Sequence, residues 1–206
     1  GAYLVRRRDE VISSWSGFLK PVLILALVVV LLLMEPDFGS VVVILGTILG
    51  MLFLGGVKPG QFFLAMCAAM GSVAIMALSE SYRVQRLLAF RNPWSEENVY
   101  GSGYQLTQSL IAFGRGEWFG VGLGNSMQKL FYLPEAHNDF IVAIIAEELG
   151  LVGVLTLIAI YSVLITRIFK IGRLAELKNN LFGAFCAYGI GILFSMQAFI
   201  NLGVNT

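Results

Sequence analysis

The sequence predicts an all-α polytopic membrane protein, a bundle of about five spanning helices with one large loop between them. Of its 206 residues, 57% are apolar and 13% are charged, about half the charged fraction of a soluble domain. The apolar residues gather in five runs near the length that a helix needs to cross a bilayer. Because the formal net charge is only +1, no basic surplus points to nucleic acid. The five predicted spans are Phe18 to Met34, Gly39 to Leu54, Gln61 to Leu78, Phe140 to Ile165 and Phe182 to Leu202.

Short polar or glycine-rich segments separate the first three spans. Glu35-Pro36-Asp37 predicts a tight hairpin, because proline ends a helix and Asp37 can cap the next one. Residues 55–60, Gly-Gly-Val-Lys-Pro-Gly, predict a second turn. Gly46 and Gly50 have the small-xxx-small spacing that predicts close contact between helices. Cys67 and Cys186 fall inside apolar runs, where thiols serve as small packing residues, so no disulfide framework is expected.

The positions of Lys and Arg predict the orientation of the chain. With a cytoplasmic amino end, nine of the fourteen basic residues lie inside and five outside, as the positive-inside rule favours. Residues 79–139 then form an external loop of about sixty residues, too long for an idle connector. Within it, Gly103 to Phe113 and Trp118 to Tyr132 predict short helices lying on or re-entering the membrane surface. We interpret this loop as an active-site cap within one integral membrane domain, residues 1–206.

A cluster of polar residues, Leu133-Pro134-Glu135-Ala136-His137-Asn138-Asp139, lies where the fourth predicted span meets water. A carboxylate beside the only histidine of the chain is suited to acid or base chemistry on a substrate with a lipid tail and a polar head. Alternatively, Asn138 or Asp139 caps the helix that starts at Phe140. His137 could orient the loop or transfer protons. Capping accounts for one polar residue but not for the whole cluster, which favours function.

Glu147 and Glu148 lie inside the fourth predicted span, where an ionisable residue is costly unless it is paired or functional. On an unbroken helix, Glu147 falls roughly 80° from Asp139 and about 12 Å deeper, while Glu148 points to the opposite side. Only Glu147 is therefore expected to share a cavity with Asp139. In the alternative, both glutamates bond to partners on neighbouring helices and fix or couple the bundle, a role also assigned to Asp37.

One glycine-rich segment, Gly120-Val121-Gly122-Leu123-Gly124, superficially resembles a phosphate-binding turn. No predicted strand precedes it, and its spacing differs from the dinucleotide fingerprint. Loop flexibility or close packing is the favoured interpretation.

Several separate motifs, in the right order, resemble the SEDS family of bacterial cell wall polymerases. The resemblance covers essentially all 206 residues, but only the middle and later part of a family chain with ten membrane helices. We therefore expect a fragment without the first and last membrane helices, inactive on its own. Where the family usually has His-Thr-Asp, this chain has His137-Asn138-Asp139. The matching runs are Glu35 to Ser40, Arg91 to Trp94, Gly101 to Glu117, Gly122 to Ser126 and Leu133 to Gly150.

This resemblance implies a glycosyltransferase that polymerises lipid II on the outer side of the membrane. A sugar hydroxyl needs a base, whereas a pyrophosphate leaving group mainly needs its charge stabilised. By family analogy Asp139 is the base, and Arg115 and Lys129 are the first candidates to hold the pyrophosphate. A divalent cation, Mg²⁺ or Mn²⁺, is a candidate helper, although carboxylates alone do not establish a metal site. The other candidate substrate-binding residues are Arg83, Arg86, Arg91, Gln105, Gln108, Glu135 and His137.

Residues 128–137, Gln-Lys-Leu-Phe-Tyr-Leu-Pro-Glu-Ala-His, resemble the division member of the family more than the elongation member. This implies the inner membrane at the division septum, with loop 79–139 on the periplasmic side. The implied partners are lipid II, the undecaprenyl-pyrophosphate-linked glycan, a class B penicillin-binding transpeptidase and other division proteins. Two alternatives stay open: a lipid II flippase that uses Glu147 and Glu148, and a scaffold that only anchors the transpeptidase.

Overall fold

The computed structural model describes residues 2–34 and 38–206. Within these residues the chain forms helices, turns and loops and no β-strand, which confirms the all-α class. A short π-helical turn, Gln128–Tyr132, lies between the eighth and ninth α-helices. The α-helices are α1 Ala2–Arg6, α2 Arg8–Ser13, α3 Trp15–Met34, α4 Phe38–Leu54, α5 Pro59–Ser79, α6 Ser81–Ala89, α7 Glu96–Val99, α8 Tyr104–Gly116, α9 Ile141–Leu177 and α10 Leu181–Asn205.

Four of the described helices, α3, α5, α9 and α10, are long and apolar enough to cross a membrane, and α4 is a shorter apolar helix. Large apolar side chains on them are exposed, including those of Leu23, Ile75 and Phe199, as a lipid environment allows. The predicted polytopic helix bundle is therefore confirmed. The predicted hairpin at Glu35-Pro36-Asp37 lies outside the described residues. Which side of the membrane the loop occupies stays a prediction.

The described residues pack as two compact units, of which the first comprises Gly1–Ala74 and Val163–Gln197. Its core contains Phe18, Leu52 and Phe185, which bring α3, α4 and α10 together. The turn predicted after the second span is confirmed at Gly56, whose φ of 77° lies in the left-handed region that favours glycine.

The glycine pair predicted to allow close helix contact lies between α4 and α10. A Cβ built on Gly46 would lie 2.5 Å from the Met196 methyl carbon, and one on Gly50 would lie 2.9 Å from Ile192 Cδ1. Both distances are too short for a real Cβ, so the two helices approach through these glycines. The predicted contact is confirmed.

The second unit comprises Ile75–Ser162 and Ala198–Thr206 and contains the whole predicted loop, residues 79–139. The helix predicted at Gly103 to Phe113 is confirmed as α8, but the one predicted at Trp118 to Tyr132 is wrong over most of its length. Only the π-helical turn at 128–132 is helical there. The reason is the glycine triplet, because Gly120, Gly122 and Gly124 have φ values of 79°, 100° and 83°, outside helical space.

Helix α9 is broken at Gly150, where φ is 68° and ψ is −166°. The span predicted from Phe140 to Ile165 lies almost wholly within α9, but its helix is interrupted at this residue. Apolar residues flank the break on both sides, so hydropathy does not reveal it. A Cβ on Gly150 would lie 2.5 Å from the Gly120 nitrogen, which shows that the glycine-rich segment crosses α9 at the break. The favoured interpretation of that segment, close packing, is confirmed.

Residues 117–122 satisfy the backbone groups that the break leaves without helical partners. In an unbroken helix, the carbonyls of residues 147 and 148 would accept from the N–H groups of residues 151 and 152. Here each of these four groups bonds instead to the crossing segment. Because lipid offers no hydrogen-bond partners, this exchange allows α9 to break inside an apolar run. The four bonds are Leu151 N to Glu117 O (2.9 Å), Val152 N to Trp118 O (3.2 Å), Val121 N to Glu147 O (2.9 Å) and Gly122 N to Glu148 O (3.1 Å).

Candidate functional site

The polar cluster singled out in the sequence, residues 133–139, is a turn anchored by its apolar members. Leu133, Ala136 and Phe140 are buried and pack in one cluster with Ala112 of α8. The polar side chains that alternate with them, those of Glu135, His137, Asn138 and Asp139, are exposed. The turn is thus fixed on one side and presents its polar side chains on the other.

Glu135 and Asn138 shape this turn. Glu135 has a positive φ of 55°, and its carbonyl accepts hydrogen bonds from the N–H groups of Asn138 (3.0 Å) and Phe140 (3.3 Å). The Asn138 side-chain amide donates to the Glu135 carboxylate at 2.7 Å. Asn138 therefore holds Glu135.

Asp139 is fixed through its backbone and not through its carboxylate. Its carbonyl accepts from the side-chain amide of Asn205 at 2.7 Å and from that of Asn201 at 3.0 Å. Among the described residues, no hydrogen bond or ion pair engages the exposed Asp139 carboxylate. The alternative predicted from the sequence is a helix cap by the Asn138 or Asp139 side chain. In the described residues, neither side chain accepts a hydrogen bond from an N–H group of the first turn of α9. The amide oxygen of Asn205 instead accepts from the Ala143 N–H at 3.0 Å.

Glu147 is fully buried, with a relative exposure of 0%, and its carboxylate organises the segment before the π-helical turn. It accepts hydrogen bonds from the backbone N–H groups of Met127 (3.1 Å) and Gln128 (3.2 Å) and from the Ser126 hydroxyl. It also pairs with the Arg115 guanidinium at 3.2 Å. The Glu147 carboxylate is thus engaged by residues 126–128 and by Arg115. A cavity shared with Asp139 stays a prediction.

Glu148 pairs with Lys129, whose ammonium lies 2.6 Å from the carboxylate. It also accepts from the Ser126 N–H at 3.4 Å. Glu147 and Glu148, just before the break in α9, therefore each contact one of the two cations proposed first to hold the pyrophosphate, Arg115 and Lys129. Their predicted structural or coupling role agrees with these contacts and stays a prediction.

The other predicted substrate-binding residues are spread along α6, α8 and the segment between them. Arg86 donates to the Gln105 side chain at 3.4 Å, and Arg83 donates to the Met76 carbonyl at 2.9 Å. Both guanidinium groups also lie against the Tyr82 ring. Arg91 is exposed and Gln108 half-buried, whereas Asp37 lies outside the described residues.

In residues 2–34 and 38–206, no group of three or more His, Cys, Asp or Glu side chains is arranged to hold a metal ion. A role for Mg²⁺ or Mn²⁺ stays a prediction.

Sequence reasoning missed Asn201 and Asn205, which reach the Asp139 carbonyl from α10. A signal was present: two asparagines four residues apart lie on the same side of a helix, at the end of an apolar span where amide side chains need partners. Ser126, 1% exposed, was missed as well. Nothing in its local sequence indicates that it contacts Glu147.

Comparison with known proteins agrees with the resemblance found in the sequence. The profile of the FtsW/RodA/SpoVE family, described as "Cell cycle protein", matches residues 1–206. The chain is 57% identical to the probable peptidoglycan glycosyltransferase FtsW of Hahella chejuensis, covering 100% of this chain and 51% of that protein. It is 58% identical to the protein of the same name from Nitrosococcus halophilus, covering 98% and 52%. The chain spans about half the length of these curated relatives, and it belongs to the FtsW/RodA/SpoVE family.

Proposed function

We propose that the whole protein is a peptidoglycan glycosyltransferase that polymerises lipid II, with Asp139 as its general base. One observation carries the assignment of the base. Glu135, Glu147 and Glu148 each accept hydrogen bonds from neighbouring groups, whereas the exposed Asp139 carboxylate has no such bond among the described residues. Asp139 is thus the acid of this cluster best able to accept a proton from a substrate. The relatives named probable peptidoglycan glycosyltransferases support the reaction class.

The proposed reaction is a direct displacement at the anomeric carbon of the growing glycan. The 4-hydroxyl oxygen of the incoming disaccharide attacks this carbon and forms the new glycosidic bond, while the bond to undecaprenyl pyrophosphate breaks. Asp139 takes the hydroxyl proton, and the bonding electrons leave with the pyrophosphate. A single displacement inverts the anomeric centre from α to β. No second carboxyl is needed as an acid, because pyrophosphate leaves as an anion.

Cations of the loop are proposed to stabilise the departing pyrophosphate. Arg115 keeps 41% of its side chain exposed despite its pair with Glu147, and Lys129 keeps 27%. Arginine grips phosphate oxygens in pairs, whereas lysine acts as a point charge. Arg83, Arg86, Arg91, Gln105, Gln108 and His137 are the further proposed contacts to the substrate, together with Glu135.

The cellular setting is part of the same proposal. Loop 79–139 would face the periplasm at the division septum, where both lipid-linked substrates are present. The protein would act there with a class B penicillin-binding transpeptidase and other division proteins. Glu147 and Glu148 are both paired with cations of the loop. This pairing does not favour the flippase.

The decisive experiment is Asp139→Asn in the full-length protein, purified with its partner transpeptidase and given labelled lipid II. Glycan strands should cease to form while the variant still folds and binds its partner. The matched control is Glu96→Gln, which changes an exposed acid of the same loop to which no role is assigned; it should retain most activity. Strand synthesis by Asp139→Asn at near wild-type rate would show that the base is misassigned. Parallel reactions with Mg²⁺, with Mn²⁺ and with a chelator measure any contribution of a divalent cation.

A further inference from the structure

The Asn205 side chain replaces a backbone hydrogen bond at the start of α9. In a regular helix the Ala143 N–H would donate to the carbonyl of Asp139, four residues earlier. Here the Asn205 amide stands between the two groups. Its oxygen accepts from Ala143 N at 3.0 Å, and its nitrogen donates to Asp139 O at 2.7 Å. The Ala143 N–H also bonds to the Phe140 carbonyl at 3.1 Å, three residues earlier. The amide therefore takes the place of one peptide hydrogen bond and keeps Asp139 outside the regular helix.

Asn205 is itself held firmly. Its side chain is completely buried, and its amide nitrogen also bonds to the Asn201 carbonyl at 2.7 Å, within α10. The Asn205 carbonyl accepts from the hydroxyl of Ser109, a fully buried residue of α8, at 2.6 Å. The end of α10 thus joins α8 to the first turn of α9 through this residue.

Asn201 adds a second amide donor to the same carbonyl, at 3.0 Å. Two side chains separated by one helical turn therefore grip the backbone of Asp139. A buried, polar arrangement of this kind is costly to leave partly unsatisfied. Hydrophobic packing alone would not require amides at both positions.

We propose that Asn205, assisted by Asn201, is a positioning residue for Asp139. This inference rests on the proposed role of Asp139 as the base. The two amides donate hydrogen bonds to the Asp139 carbonyl and so fix the position of this backbone just before α9 begins. The Asp139 carboxylate stays open to substrate. Without them, the Asp139 carbonyl is free to accept from the Ala143 N–H, the regular helix extends toward Asp139, and the carboxylate is displaced from the acceptor hydroxyl. A small displacement of a catalytic group lowers kcat more than it weakens substrate binding.

The test is Asn205→Leu in the full-length protein, assayed with lipid II. Leucine has the same branching at Cγ as asparagine but is larger and apolar, so it neither donates nor accepts a hydrogen bond. We expect kcat to fall at least tenfold and KM to stay within about twofold, since the loss falls on the transition state. Asn205→Gln, which restores an amide, should recover part of kcat. Asn201→Ala, which removes one of two donors, should lose less than Asn205→Leu.

The control is Thr206→Val, which is isosteric and removes a hydroxyl that bonds only to the Leu202 carbonyl of its own helix; its kcat should match wild type. Hydrogen exchange of residues 139–146 provides a readout besides activity and should change in Asn205→Leu but not in Thr206→Val. A folded Asn205→Leu protein with wild-type kcat and exchange would overturn the inference. If Asp139→Asn is inactive while Asn205→Leu is normal, only this inference fails. If Asp139→Asn is fully active, the proposed base is wrong and takes the inference with it.

Discussion

Replacing Glu147 tests whether a buried carboxylate holds the loop that carries the predicted pyrophosphate-binding cations. In the structure it accepts from two backbone N–H groups, one hydroxyl and one guanidinium. Glu147→Ala removes all four acceptor contacts. Glu147→Gln preserves the shape and one carbonyl oxygen, but turns an NH₂ group toward donors.

The size of the effect follows from burial. The Gln128 N–H is buried and loses its acceptor outright, which costs about 1–3 kcal/mol. The partly buried Met127 N–H and the Ser126 hydroxyl add about 1 kcal/mol each. The pair with Arg115 adds little, because that side chain is half exposed. We expect Glu147→Ala to lower the free energy of unfolding by about 4 kcal/mol and Glu147→Gln by about 2 kcal/mol.

The assay is reversible unfolding in mixed detergent micelles, combined with hydrogen exchange of residues 126–132. Glu148→Gln is the matched control, because Glu148 accepts one weaker backbone bond at 3.4 Å and is less buried. It should cost about 1 kcal/mol and leave the exchange of 126–132 nearly unchanged. If Glu147→Ala is as stable as Glu148→Gln, or if exchange of residues 126–128 does not rise, the carboxylate does not hold the loop and the reasoning is refuted.

Two further predictions follow from the same region. Gly150→Ala should destabilise the fold by on the order of 3 kcal/mol or more, because φ is 68° and the new Cβ would lie 2.5 Å from three backbone atoms. The control is Gly114→Ala, where the new Cβ has open space around it. It should stabilise the fold by about 0.5–1 kcal/mol. Equal free energies of unfolding for Gly150→Ala and Gly114→Ala, measured in the same mixed micelles, would contradict this prediction. Lys129→Gln should lower kcat/KM for lipid II about tenfold or more, whereas Glu148→Gln should stay within about threefold. Equal losses would mean that the ion pair, and not the free charge of Lys129, matters to activity.

The fold class and the span positions could be predicted because they depend on composition summed over many residues. The contact of Gly46 and Gly50 with α10 was predictable for a related reason: spacing on a helix is set by the backbone geometry alone. The break in α9 was not predictable by these means. It depends on one residue, Gly150, whose sequence surroundings read as an uninterrupted helix, and on a segment about thirty residues earlier that satisfies the freed backbone groups.

The candidate site divides in the same way. The turn at 133–139 was predictable from its polar residues, and the pairing of the glutamates with polar partners was weighed as an alternative. Their actual partners, Arg115 and Lys129, and the grip of Asn205 on the Asp139 carbonyl are contacts between distant parts of the chain. A hydrophobic pattern carries no information on such pairs. The angular argument for Glu147 used helix geometry alone and could not include residues 126–128, which engage its carboxylate.

The segment of α9 before the break, residues 141–149, has Asp139 just before its amino end and the cations paired with Glu147 and Glu148 at its carboxyl end. Nine helical residues extend over about 13 Å. This separation suits the proposed chemistry, because direct displacement places the leaving group on the side of the anomeric carbon opposite the attacking hydroxyl. A base and a pyrophosphate-binding cation that touched each other would form an ion pair, and the base would lose affinity for the proton it must accept. In the proposed reaction, a glutamate for each cation would keep positive charge near the substrate and leave the Asp139 carboxylate open.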